Sequence, residues 1–352
     1  MTQQDLKQQL QTLLNNKTKP PGSLGKLESQ ALQIGLIQQS LNPTSTPAKL
    51  LLFAADHGVY AEGIAPYPQA VTAQMVLNIC SGGAASSVLA RQHNINLNVV
   101  DVGVAAKLDA HPLLIDAKVA LGSRNLAREV AMQVDELQAA LIAGRSAVQT
   151  CASEARVVLI GEMGIGNTTA ATAISCVLLG ALPEVLTGPG TGLDQAGIAH
   201  KAEVIRKAMQ LHGYTPGASF TALSKVDVQK LLGALGGLEI AAMTGAYLQC
   251  ALMRKVILVD GMIATAALAC AALMDPQVLE FCVFSHQSSE PAHAGLLRLL
   301  GAAPLIDLQL RLGEGTGALC AYPLLQSACA IINEMATFSS AGVADTSAPA
   351  DV

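Results

Sequence analysis

The chain has no tryptophan, and only five tyrosines and five phenylalanines among its 352 residues. It has no cluster of lysine or arginine with interleaved aromatics, so a nucleic-acid groove is not expected. Charged residues make up only 13% and the net charge is a mild -5. No basic amphipathic stretch points to a membrane surface. The most membrane-like window, GMIATAALACAALM at 261–274, lies between Asp260 and Asp275 and is too short for a hydrocarbon core of about 30 Å. The N-terminus MTQQDLKQQLQTLLNN lacks the charged start, apolar centre and small-residue cleavage site of a secretory signal, and reads as a first helix. The eight cysteines contain no C-x-x-C and mostly sit in apolar runs, as expected for buried thiols in a reducing cytoplasm. There is no repeat of fixed period and no low-complexity linker.

What is present is a large apolar fraction, 51%, sufficient for a sizeable core in one large domain or two modest ones. From about residue 49 a short apolar run repeatedly ends in a Gly-, Asp- or Ser-rich loop and is followed by a small-residue helical stretch. The runs are at 49–58, 95–103, 155–164, 254–261 and 279–286. This alternation predicts a mainly parallel, Rossmann-like α/β sheet flanked by helices. Ligands bind such sheets beyond the carboxyl ends of the strands, so residues 56–58, 162–169, 260–261 and 285–290 should gather at the site. Residues 46–314 then form the α/β core. Residues 1–45 and 315–352 lie outside the theme and are expected to pair as a small, mostly helical domain. The last dozen residues, AGVADTSAPADV, are expected to be mobile.

The stretch GEMGIGNTT (161–169) lies between a predicted strand and a predicted helix. As a Walker A loop it has Gly161 and Gly166 at the correct spacing and Thr168 as the hydroxyl, but Asn167 replaces the lysine that reaches the β- and γ-phosphates. As a dinucleotide fingerprint it has Gly164 and Gly166, but Thr169 replaces the third glycine. Backbone N–H groups, a helix N-terminus and the hydroxyls of Thr168 and Thr169 suit one compact anion. The same residues also suit a tight turn capped by Asn167 and Thr168. In TGPGTGLDQAGIAHKAEVIRKAM (187–209) a Gly-rich turn enters a helix capped by Asp194. Lys201 there is either the missing positive charge or a solvated lysine. In VILVDGMIAT (256–265) Gly261 stands where a metal-pyrophosphate loop carries a second acid, so such a donor is disfavoured. Asp260 is left to accept hydrogen bonds from hydroxyls or to cap the next helix.

Glu314 in RLGEGTGALCAYPLL has a glycine on each side, so a planar ligand can approach it closely. An apolar pocket would raise its pKa towards that of a base working near neutrality, while a helix N-terminus would lower it; a turn glutamate facing water fits the sequence as well. In SHQSSEPAHAG, Pro291 starts a helix that should separate His286 from Glu290 and His293, and no flanking Cys or Asp completes a metal set. Asp56 and His57 read as a hydrogen-bonded pair at a strand end, with no nucleophile elbow to make them part of a triad.

Taken in order, KPPGSLGKLE (19–28), ADHGV (55–59), PYPQAVTAQMV (66–76), GEMGIGNTT, TGPGTGLD (187–194), GALGGLEIAAMTG (233–245), DG (260–261), SHQSSEPAH (285–293) and LGEGTGA (312–318) span nearly the whole chain. This series resembles the nicotinate-nucleotide:dimethylbenzimidazole phosphoribosyltransferases, which make the lower-ligand nucleotide of cobalamin. The resemblance implies transfer of a phosphoribosyl group from nicotinate mononucleotide to 5,6-dimethylbenzimidazole, with no cofactor and no metal. Glu314 would be the general base and Glu162 would face the reacting ribose. Gly164, Gly166, Asn167, Thr168 and Gly190 would line the phosphate site, with Lys201 paired to it. Pro66, Tyr67, Gln74, Met75 and Leu312 would form the acceptor slot. The resemblance also implies a homodimer. Transfer to another benzimidazole, adenine or a phenol, or a nucleotide-binding regulator without catalysis, are the competing expectations.

Overall fold

A computed structural model describes residues 2–218 and 223–344. Most of the last dozen residues, expected to be mobile, lie outside these. Six strands form one sheet: β1 (Ala48–Ala55), β2 (Asn96–Gly103), β3 (Leu114–Asp116), β4 (Val157–Met163), β5 (Val256–Val259) and β6 (Cys282–Phe284). Their order is β3-β2-β1-β4-β5-β6, and every pairing is parallel. The inner strands are near-continuous apolar runs because helices cover both faces of the sheet. The short edge strand β3, with sequence LID and only half-buried, is absent from the sequence reading.

Strand order reverses between β1 and β4, the switch point at which a doubly wound sheet opens a crevice. There β1 delivers His57 and β4 delivers Glu162, which pairs in register with Phe53. The helices Asn167–Leu179, Leu238–Leu252 and Met262–Met274 are apolar almost all round because each is enclosed by other elements. Helix Val134–Cys151 packs on helix Leu238–Leu252 with backbones nearly touching. A Cβ on Gly144 would stand 1.8 Å from the Ala242 carbonyl oxygen, and one on Gly245 2.1 Å from that of Leu141.

Residues 71–92 are apolar enough over sufficient length to cross a membrane by composition alone. The chain nevertheless breaks there into two helices, Val71–Cys80 and Ala85–Gln92, with Gly82 in the connecting turn at φ 85°.

The terminal segments share a second, smaller apolar cluster of Leu6, Leu10, Leu14, Ala31, Ala328 and Ile332. Helix Thr316–Glu334 belongs to both clusters, since its Leu319, Tyr322, Leu325 and Cys329 pack into the main core. The Tyr322 hydroxyl donates to the Ser45 carbonyl at 2.9 Å, and Asn333 reaches the Pro43 carbonyl.

Candidate active site

The two glycine-flanked acidic turns meet although they are 152 positions apart between Glu162 and Glu314. A Cβ on Gly161 would stand 2.5 Å from the Gly315 nitrogen, and one on Gly313 2.2 Å from Glu162 Oε1. Only glycine allows β4 and the 313–315 turn to interlock this closely. Gly313, Glu314 and Gly315 have φ of 83°, 61° and 72°, and for Glu314 that left-handed conformation is a strain for the surroundings to hold. Asp260 holds it. Its carboxylate accepts from the Gly315 and Ala318 nitrogens at 3.1 and 3.0 Å, capping helix Thr316–Glu334 rather than the helix next in sequence.

Both glutamates are buried. Burial, then the nearby carboxylates of Asp260 and Glu239, push Glu162 up to about 8 against the opposing bond from the Asn167 side-chain amide. Burial also raises Glu314, and the Asp260 charge adds to it; the Ser86 hydroxyl, 3.1 Å from Glu314 Oε2, and the Ser86 backbone N–H act in the opposite direction. The rival influences expected from the sequence are both present, and burial prevails.

Beside Glu162, Gly164, Asn167, Thr168 and Gly190 line a cleft with Asp260, His286, Ser288, Glu290, Arg311 and Leu312. Gly166 lies at the N-terminus of helix Asn167–Leu179 with φ 98°. Lys201 is not a solvated lysine. It is 1% exposed, and its Nζ donates to Thr168 Oγ1 at 2.7 Å, so a helix two elements later brings its cation under the loop. Asp194 caps that helix, as expected, through the Gly197 nitrogen at 2.8 Å. The Gly190 peptide is held from both sides: its N–H donates to Glu290 Oε1 at 3.0 Å and its carbonyl accepts from Arg311 at 2.9 Å. Backbone N–H groups, hydroxyls and Lys201 converging on one small volume suit a monophosphate.

Of the expected acceptor slot, Leu312 lines this cleft and is 58% exposed. Pro66, Tyr67 and Gln74 are exposed and Met75 is half-buried, in the segment leading through helix Val71–Cys80; none of the four lines the cleft. That helix is tied to the glycine loop, because Thr72 Oγ1 accepts from the Ile165 nitrogen at 3.0 Å.

Two expectations are corrected. His57 pairs with Glu239 at 2.7 Å, while Asp56 Oδ2 accepts from the Ala105 nitrogen; two adjacent residues leaving a strand point to opposite sides. Burial disfavours charge on His57, but the Glu239 carboxylate outweighs it and the net shift is upward. The start of a helix at Pro291 also does not separate the histidines, whose rings lie 5.9 Å apart because the 286–290 loop folds back, with the Ser288 N–H donating to His293 Nδ1. Burial and His286 lower His293 to about 3. Among the described residues no three His, Cys, Asp or Glu side chains group as metal ligands.

Arg311, Glu290 and Ser86 were not singled out for these positions by the sequence. Arg311 adjoins the LGEGTGA block, which marks it in hindsight. Ser86 carries no local signal, since its bond to Glu314 spans 228 positions.

A phosphoribosyltransferase family model matches residues 1–343. The nicotinate-nucleotide–dimethylbenzimidazole phosphoribosyltransferase of Cupriavidus necator is 50% identical over 343 residues, 97% of this chain and 96% of its own length. That of Pseudomonas putida F1 is 49% identical over 330 residues, covering 93% and 91%. The crystal structure of CobT from Thermus thermophilus superimposes with a TM-score of 0.90 at 39% identity, covering 97% of this chain and 99% of that one. On its cradle, its paired acidic turns and a match running almost from end to end, the chain belongs to the nicotinate-nucleotide:dimethylbenzimidazole phosphoribosyltransferase family.

Proposed function

We propose that the protein transfers the phosphoribosyl group of nicotinate mononucleotide to 5,6-dimethylbenzimidazole, giving α-ribazole 5'-phosphate and nicotinate. The observation that carries this reading is the interlock of Gly161–Glu162 with Gly313–Glu314 beside the phosphate cradle. With the 5'-phosphate on the 164–168 loop, Gly190 and Lys201, the sugar's anomeric carbon falls towards the two acids. Glu314 removes the imidazole N–H proton as the other ring nitrogen attacks C1'. The C1'–nitrogen bond to nicotinate breaks with its electron pair going to the pyridinium, and attack from the opposite face inverts β to α. The departing pyridinium is already cationic, so the step needs no second acid at Gly261. Glu162, pushed up to about 8, is largely uncharged at neutral pH and presents a carboxyl beside the ribose without repelling the phosphate. Pro66, Tyr67, Gln74, Met75 and Leu312 are assigned to the acceptor side.

We further take the protein to be a cytoplasmic homodimer, a placement supported by eight free cysteines and by the family resemblance. Residues 46–314 are taken as the catalytic core and the terminal segments as its helical partner. Chromatography of products from nicotinate mononucleotide with a panel of benzimidazoles, adenine and phenols tests the acceptor. Glu314→Gln should keep mononucleotide binding while turnover falls roughly 10²-fold or more. Unchanged turnover removes Glu314 from the mechanism and leaves a binding protein as the better reading.

A further inference from the structure

The turn that breaks residues 71–92 into two helices has a use. Ser86 and Ser87 stand in the first turn of helix Ala85–Gln92, and both are buried. Their hydroxyls go to different elements. Ser87 Oγ donates back to the Ile79 carbonyl at 2.7 Å, tying the helix to Val71–Cys80, while Ser86 Oγ donates to Glu314 Oε2 at 3.1 Å. An unbroken helix over 71–92 would have no free N-terminus at this point. Glu314 Oε2 is therefore engaged by another element, and the Ser86 backbone N–H also acts on the same carboxylate.

Resting on the reading of Glu314 as the base, we propose that Ser86 is a positioning residue, which anchors the Glu314 carboxylate at Oε2 and so fixes the direction in which its remaining lone pairs meet the N–H of the acceptor. A carboxylate on two freely rotating bonds samples many orientations, and only those aiming a lone pair at the proton are productive. The hydroxyl narrows that range and favours the ionised form, which is the form that accepts a proton. The titratable groups facing Glu314 are Asp260 from the loop after β5 and Glu162 from β4, with His286 3.7 Å from Asp260. Burial and the Asp260 charge oppose ionisation of Glu314, and the Ser86 end of the helix counters them.

The test is single-turnover kinetics with both substrates saturating, followed from acid to alkaline pH, in Ser86→Ala and in the near-isosteric weak donor Ser86→Cys. Without the hydroxyl the pKa of Glu314 rises, so the acid limb of the rate profile should move up by about one pH unit. The neutral-pH rate should fall about tenfold, with KM for nicotinate mononucleotide unchanged. In a Glu314→Gln background, Ser86→Ala should have no further effect. An acid limb that stays in place, or an equal loss in both backgrounds, overturns the positioning role while leaving Glu314 as base. Full turnover in Glu314→Gln alone overturns the reading on which it rests.

Discussion

Burial pushes the Lys201 ammonium down to about 8, and the charge of Glu290 restores only part of the shift. The folded-state value lies below the unfolded one, so at neutral pH this charge lowers stability, and the burden is relieved only as pH rises past about 8. A lysine held where it destabilises the fold is consistent with a ligand-binding role. Lys201→Met, which keeps the length and removes the charge, should leave stability in urea equal to or above that of the parent. Nicotinate mononucleotide should bind roughly 10-fold or more weakly, the scale of a lost charge-assisted hydrogen bond, and dimethylbenzimidazole as before; calorimetry reads both. Loss of stability with intact binding would return Lys201 to a structural role. In the unaltered protein, mononucleotide affinity should decline above pH 8, where free Lys201 must first be protonated. From the sequence alone Lys201 and a solvated helix lysine read alike, because what distinguishes them is the Thr168 hydroxyl 2.7 Å away, on a helix that the sequence does not place beside it.

At the scale of elements, the close approach of helices Val134–Cys151 and Leu238–Leu252 sets a strict limit on side-chain size. Gly245→Ala would place a methyl 2.1 Å from the Leu141 carbonyl oxygen, and the helices must move apart. A loss of about 1–3 kcal/mol is expected from overpacking, read as a lower urea midpoint. Gly233→Ala is the matched control. It lies inside helix Lys225–Leu235, its new methyl meets nothing nearer than 3.5 Å, and it should gain about 0.5–1 kcal/mol from reduced unfolded-chain entropy. Equal changes in both would show that the contact is not limiting. The main strands were legible as apolar runs because full burial on both faces leaves an unambiguous pattern. Strand β3 was not, since three residues, two half-buried and one exposed, carry no periodicity, and the break at residues 81–84 decides that an apolar stretch of span length forms two helices.

Over the whole molecule, helix Thr316–Glu334 links the two apolar clusters and follows directly on Glu314, so the packing of the terminal segments bears on the site. Leu10 is fully buried in the smaller cluster. Leu10→Ala should lower stability by about 2–5 kcal/mol in one cooperative transition followed by both circular dichroism and activity. A separate early transition that spares activity would show that the terminal segments unfold independently of the core.

The sequence by itself determined the strand pattern of the core, the glycine-flanked positions of Glu162 and Glu314, and the order of blocks that marks the family. These are local: apolar periodicity, glycine at sharp turns and a cap such as Asp194 follow from neighbouring residues. Only the tertiary structure decided that Asp260 caps a helix 55 positions away, that His57 answers to Glu239 rather than Asp56, and that Ser86 reaches Glu314. The reason is physical. The protonation state and aim of a buried group depend on which distant polar atoms share its dry surroundings, and that is set when the sheet brings its strand ends together.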